Sequence, residues 1–262
     1  MTRSDLNRSY GPVALVTGAS NGIGRAFAEA LAAQGFDLVL VARSAQILTS
    51  LAADLTARHG VAVTVLPCDL GQLGTVADIL TQTADHQIGL LVAAAGFGSA
   101  GAFLSRPVGD AVNMVDVNCR SVVELTYGIG QRLVAQKRGG IVLFGSLLGF
   151  QGAPYSATYA ATKNFVQAFA EGLAVEVASQ GVNVLAVAPG PVDTGFGARA
   201  RMRLSQTETP DTVAQAALAS LGHRTTIRPG ALAKVLGLSL ALLPRRARVA
   251  VLGRLMRGMA IP

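Results

Sequence analysis

Tyr159 and Lys163 stand four residues apart in Tyr159-Ala-Ala-Thr-Lys163, neighbours on one face if the segment is helical. A free phenol holds its proton to about pH 10, too tightly to exchange it readily at neutral pH. A nearby ammonium favours the phenolate and lowers that value. Tyr159 can then act as general acid toward a carbonyl or as general base toward an alcohol. Tyr155 has Tyr159, not a cation, as its fourth neighbour and lacks this help. Ser146 directly follows the apolar run Ile141–Gly145, where a parallel sheet presents groups to a ligand. Its hydroxyl can donate to an oxygen on which charge develops.

A second group of residues suits a phosphate. Val13–Thr17 runs into Gly18-Ala19-Ser20-Asn21-Gly22-Ile23-Gly24, and a helical stretch begins near Arg25. Glycines let the backbone approach a pyrophosphate closely, and a helix N-terminus offers free N–H groups and partial positive charge. The spacing alone is weak; the strand before it and the helix after it carry the dinucleotide reading. The second strand ends in Ala42-Arg43-Ser44. A guanidinium there can grip a 2′-phosphate with two parallel hydrogen bonds, so NADP(H) is expected over NAD(H). Asp37 precedes that strand and is expected at its far edge, away from the ligand.

The elements that must hold these groups follow from the apolar pattern. Val13–Thr17, Leu38–Ala42, Val61–Leu66, Ile88–Val92, Ile141–Gly145 and Val182–Val187 are nearly continuous apolar runs, as a parallel sheet covered on both faces requires. Helical stretches lie between them, among them Arg25–Gln34, Ala45–Arg58 and Gly74–Thr83. Gly35, Gly60, Gly140 and Gly181 each precede a strand, where a helix end commonly needs a left-handed residue. Alternating strands and helices predict a doubly wound parallel sheet in a three-layer α/β/α sandwich. One domain over residues 1–230 and a helical extension over 231–262 are expected.

With Asp69 after the third strand, Asn118, and Pro189-Gly190-Pro191-Val192-Asp193-Thr194, the motifs together resemble the short-chain dehydrogenase/reductase family, Rossmann-like enzymes, over residues 13 to 194. The resemblance implies that Tyr159 donates or accepts the proton and that Ser146 orients the substrate. Lys163 would lower the Tyr159 pKa and bond the nicotinamide ribose, and Asn118 would position a water of the proton relay. Gly18, Ser20, Asn21, Gly22, Ile23 and Gly24 would cradle the pyrophosphate. Asp69 and Leu70 would meet the adenine, Arg43 the 2′-phosphate, and Ala94 and Gly96 the cofactor's inner side. Pro189, Gly190, Val192 and Thr194 would flank the nicotinamide. One departure is that Ala93-Ala94-Ala95-Gly96 stands where the family commonly has Asn-Asn-Ala-Gly. The missing amides remove hydrogen bonds near the central strands but no proton-transfer group. A homodimer or homotetramer is the family's habit.

Composition bounds the rest. With 51% hydrophobic and 14% charged residues the chain is too apolar to be disordered. The longest apolar candidate, Val235–Leu243, is about half of the ~18 residues a membrane span needs. The N-terminus is polar, so a cytoplasmic protein is expected. Cys68 and Cys119 and the histidines 59, 86 and 223 show no metal-ligand spacing. The cysteines are expected as small core residues, the histidines at the surface, and Met202, Met256 and Met259 as packing.

Residues 212–262 hold eight of the 22 basic residues and none of the 15 acids. No aromatic-interleaved groove accompanies them, which argues against nucleic acid. On a helical wheel from Pro244, Val249, Leu252, Leu255, Met256 and Met259 share one face. Arg246, Arg254 and Arg257 oppose them, while Arg245 and Arg248 fall among the apolar positions. This imperfect amphipathic helix suits an anionic bilayer, at the inner face of a membrane, or another subunit. Gly195–Pro210 is expected as a lid bearing Arg199, Arg201 and Arg203. Phe97, Leu147, Leu148, Phe150, Tyr155 and Phe196 suggest an apolar pocket for a hydrophobic carbonyl or alcohol. A non-catalytic nucleotide sensor on the same fold is the competing reading, one that has no need of an activated phenol.

Overall fold

The computed structural model describes residues 5–195, 197, 200 and 207–259. The strands are β1 (Val13–Thr17), β2 (Asp37–Ala42), β3 (Val63–Pro67), β4 (Ile88–Ala93), β5 (Gly139–Phe144), β6 (Val182–Val187) and β7 (Thr226–Ile227). They form one parallel sheet in the order β3-β2-β1-β4-β5-β6-β7. The helices are α1 (Asp5–Tyr10), α2 (Gly22–Ala33), α3 (Ala45–His59), α4 (Thr75–Gln82), α5 (Val108–Val115), α6 (Ser121–Ala135) and α7 (Ala157–Val177). Three follow: α8 (Pro210–Ser220), α9 (Ala231–Ala241) and α10 (Arg245–Met259).

Strand side chains alternate between two cores. Ala14 and Val16 pack with α2, α3 and α8, whereas Val13 and Leu15 pack with α4, α6 and α7. The doubly wound sandwich expected from the apolar runs is the fold observed. Its chain reverses winding between β1 and β4, which opens a crevice at the carboxyl ends of those strands.

Local differences have local causes. Helix α2 starts at Gly22, earlier than the pattern suggested, because the Asn21 Oδ1 caps it by accepting from the Gly22 N–H at 2.7 Å. Gly35, Gly60 and Gly181 take positive φ as expected. Gly140 does not end a helix: it lies inside β5, and Lys137 (φ 50) takes the left-handed turn after α6. Small residues are needed in β5 for a different reason, since a Cβ at Gly139 would sit 2.5 Å from Leu133. Strand β3 begins later than expected and is only half-buried at the sheet edge. β7 and α1 were not foreseen, the first because two residues carry no periodicity.

The C-terminal extension folds back on the same chain. Leu252 and Met256 of α10 are buried, packed near Ala100, Ala153, Tyr155 and Ala160. Part of the expected apolar face, Leu252 and Met256, is thus covered by the chain itself, whereas Leu255 is exposed, as are Arg246, Arg254 and Arg257 on the opposite side. No helix among the described residues is long and apolar enough to cross a membrane. Of the expected lid, Phe196, Arg199, Arg201, Met202 and Arg203 lie outside the described residues, as does the Met259 side chain.

Candidate active site

A cleft of about 430 Å³ lies over the carboxyl ends of the strands. Its floor is the turn from β1 into α2. Gly18 has φ +68, and a Cβ there would lie 3.0 Å from the Ala95 backbone. Gly22 has φ +56, and a Cβ there would lie 2.8 Å from Thr194. Glycine at both places leaves the free N–H end of α2 open to the cleft, and no acid stands in the helix's first turn. That cradle suits the pyrophosphate of a dinucleotide. Ser20, Asn21, Ile23 and Gly24 line the same floor.

The walls gather most of the remaining expected positions. Arg43, Asp69, Leu70, Ala94, Gly96, Pro189, Gly190, Val192 and Thr194 all line the cleft. Arg43 is exposed at the mouth, and Asp69 is the one acid among the described lining residues. Asp37 is elsewhere, its Oδ1 accepting from the Ala62 N–H at 2.8 Å. The Asp69 turn is braced by Arg120, which pairs with Asp116 and Glu124 and donates to the carbonyls of Leu70 at 3.3 Å and Gly71 at 3.0 Å. Sequence reading missed Arg120; its fourth-residue spacing to both acids was the available signal.

Tyr159 and Lys163 share a buried face of α7, with the ammonium 5.8 Å from the phenol ring centroid. Tyr159 hydrogen-bonds Ser146, whose Oγ also accepts from the Leu148 N–H at 3.2 Å. Lys163 donates to the Phe144 carbonyl at 2.8 Å. Burial dominates both groups. It pushes the Tyr159 phenol up to about 12, with the Ser146 bond opposing, and brings the Lys163 ammonium down to about 8. The phenol is therefore raised rather than lowered in the protein alone, because desolvation is the dominant cause and the ammonium donates to the Phe144 carbonyl.

Asn118 sits in a π-helical turn, Asp116–Arg120, a local widening often found at functional sites. Its Nδ2 donates to the Phe97 carbonyl at 2.9 Å and to Thr162 Oγ1 at 3.0 Å, and its Oδ1 accepts from the Phe97 N–H at 3.1 Å. Both amide hydrogens are therefore spent in clamping the loop after β4 onto α7. A Cβ at Gly96 would lie 3.1 Å from Asn118 Oδ1 and 3.5 Å from Lys163 Nζ, so a side chain there would crowd the Asn118 amide. In the Ala93–Gly96 segment, where the family's amides are missing, the Ala95 N–H donates to Thr17 Oγ1 at 3.0 Å and ties β1 to the loop.

The apolar side of the cleft differs from expectation in part. Phe97, Leu147 and Leu148 line it, but Phe150 instead lies under the Arg228 guanidinium, 4.3 Å away. Tyr155 is turned toward Arg257. Leu252, Leu255 and Met256 of α10 line the cleft, a placement no local pattern announced. Cys68 lines it as well and is half-buried, whereas Cys119 is in the interior, and burial pushes both thiols up to about 11. His59 and His86 are half-buried, contrary to the surface expectation, with His86 Nε2 3.2 Å from Thr64 Oγ1. Among the described residues, His, Cys, Asp and Glu form no cluster able to hold a metal.

The chain is similar to known proteins in sequence and fold. The family model for short chain dehydrogenase matches residues 12–204. The very-long-chain 3-oxoacyl-CoA reductase-B of Danio rerio is 32% identical over 221 residues, 83% of this chain and 71% of its own. A solved short-chain dehydrogenase from Sphingobium yanoikuyae in complex with NADPH is similar with a TM-score of 0.79 and 33% identity, over 88% of this chain and 93% of that one. The bulky-bulky ketone specific alcohol dehydrogenase of Comamonas testosteroni gives a TM-score of 0.75 and 30% identity, over 90% and 96%. Fold, glycine cradle and buried phenol agree with these likenesses: the chain belongs to the short-chain dehydrogenase family and is an NAD(P)-dependent oxidoreductase.

Proposed function

We propose that the protein reduces an apolar ketone or aldehyde to its alcohol with NADPH, Tyr159 giving the proton. The observation that carries this reading is a phenol that burial keeps protonated, bonded to Ser146, in a cleft whose other end is a glycine cradle. When bound, the nicotinamide supplies the hydride. Ser146 and Tyr159 hold the carbonyl oxygen. As charge builds on that oxygen, the Tyr159 proton passes to it and the alcohol O–H bond forms as the phenol O–H bond breaks. Ser146 and the Lys163 ammonium then stabilise the tyrosinate left behind. Lys163 and the clamped Asn118 keep α7 and the loop after β4 in register with the cofactor site.

Two observations support NADPH over NADH. Arg43 stands beside the end of β2 and lines the cleft, and that strand runs out into Ala42-Arg43-Ser44 with no acid of its own to repel a 2′-phosphate. The apolar lining from Phe97, Leu147 and Leu148 supports a hydrophobic substrate, and the names of the two relatives, a very-long-chain 3-oxoacyl-CoA reductase and a bulky-ketone dehydrogenase, point the same way. The test is NADPH oxidation over aliphatic, aromatic, steroid and acyl-thioester ketones. Tyr159→Phe is expected to lower turnover by roughly 10²–10⁴ with NADPH affinity nearly unchanged. Undiminished turnover in that variant overturns the proton role, and tight NADPH binding with no turnover of any ketone supports the sensor reading instead.

A further inference from the structure

Helix α10 lies outside the segment matched to the family, which ends at residue 204, yet it closes one side of the cleft. Leu252, Leu255 and Met256 occur at i, i+3 and i+4, a single helical stripe, and all three face the cleft. The helix is not built into either main core. It is seated on small residues, with Met256 beside Ala100 and Ala200, and Leu252 beside Ala153 and Ala160. Gly253 permits the seat, since a Cβ there would lie 3.1 Å from Pro154.

A polar fastener adds to this seat. Arg257 Nε donates to the Tyr155 hydroxyl at 3.2 Å, and its guanidinium lies 5.5 Å from that ring's centroid. Tyr155 has φ 63, uncommon for a residue with a side chain. Its carbonyl accepts from the Gly101 N–H at 2.8 Å, and it stands one turn before Tyr159. Seat and fastener together hold α10 against the same cleft that Ser146 and Tyr159 line.

We infer that α10 is the wall that recognises the apolar chain of the substrate, with Leu252, Leu255 and Met256 as specificity-determining residues. This rests on the ketone reading of the same cleft. Leu252 and Met256 are buried and form the back of the wall, whereas Leu255 is 50% exposed and forms its rim. A chain long enough to reach the rim buries methylenes against Leu255, and each one buried tightens binding about fourfold. Arg254 remains exposed on the outer side.

Leu255 can be changed without touching the core, which keeps the test clean. Binding of 2-alkanones from butanone to 2-dodecanone to protein loaded with NADP+, which cannot reduce them, is measured by calorimetry, and turnover with NADPH by absorbance. In the unaltered protein affinity and kcat/KM are expected to climb with chain length. In Leu255→Ser the climb is expected to flatten for the longer ketones, with a loss of about tenfold or more at 2-dodecanone and little change at butanone. Leu255→Phe is expected to restore it. Parallel chain-length slopes in the unaltered protein and Leu255→Ser, or no binding of any 2-alkanone, overturn the inference. Length-dependent binding lost in Leu255→Ser, but without NADPH oxidation in the unaltered protein, supports the wall and removes the proposed reaction.

Discussion

Lys163 places a cation in the interior at a cost to folding, and removing it exposes that cost. Its value falls from 10.5 to about 8 on folding, chiefly through desolvation. Between those two values the unfolded chain binds a proton that the folded chain lacks, so this group makes stability rise with pH across that window. Below about pH 8 the full cost is present; the difference of about 2.5 units amounts to about 3 kcal/mol. Lys163→Met removes the titration. It also leaves the Phe144 carbonyl without its donor, a loss of about 1–3 kcal/mol that does not vary with pH.

The two terms nearly offset at neutral pH, so the variant is expected to be as stable as the unaltered protein or slightly more so at pH 7. By pH 10 the unaltered protein should have gained about 2–3 kcal/mol relative to it. Tyr159, raised from 10 to about 12, has the opposite sign, losing stability as pH rises through that interval, but it is present in both proteins and largely cancels. Equilibrium urea unfolding at intervals from pH 7 to 10 reads the gap. A gap that stays constant with pH would refute the argument, since it would mean that Lys163 has the same proton affinity folded and unfolded.

Two further outcomes concern the cofactor and the proton. Arg43→Ala is expected to raise the NADPH dissociation constant about tenfold or more, the scale of a charge-assisted bidentate contact, while leaving that for NADH nearly unchanged; fluorescence titration of both nucleotides checks this, and equal effects would remove Arg43 as the phosphate clamp. For ketone reduction, kcat/KM should fall by about tenfold per pH unit above roughly pH 8, as Lys163 loses the charge that steadies the tyrosinate. A rate profile flat to pH 10 would show that this charge takes no part.

What could be read along the chain was whatever depends on near neighbours. The apolar runs announced the parallel strands, and Gly18, Gly22 and Gly24 announced a turn whose steric need the structure makes explicit. Tyr159 and Lys163 share a face because helical geometry fixes which positions four apart are neighbours. Ser146 was legible as a strand-end residue, and its bond to Tyr159 followed once the sheet brought β5 beside α7. Arg120 was passed over because its value lies in bracing a loop about fifty positions earlier in the chain.

Residue types and spacing by themselves determined the family, the layered sheet and the group of side chains able to hold a dinucleotide and move a proton. Only the tertiary structure decided how strongly Tyr159 and Lys163 hold their protons, because that depends on how much water the surrounding elements exclude. It alone decided, too, that the amphipathic C-terminal helix turns its apolar stripe inward onto the cleft. A helical wheel gives the width of such a stripe but not its partner, since burial against one's own chain, a neighbour or a bilayer uses the same side chains.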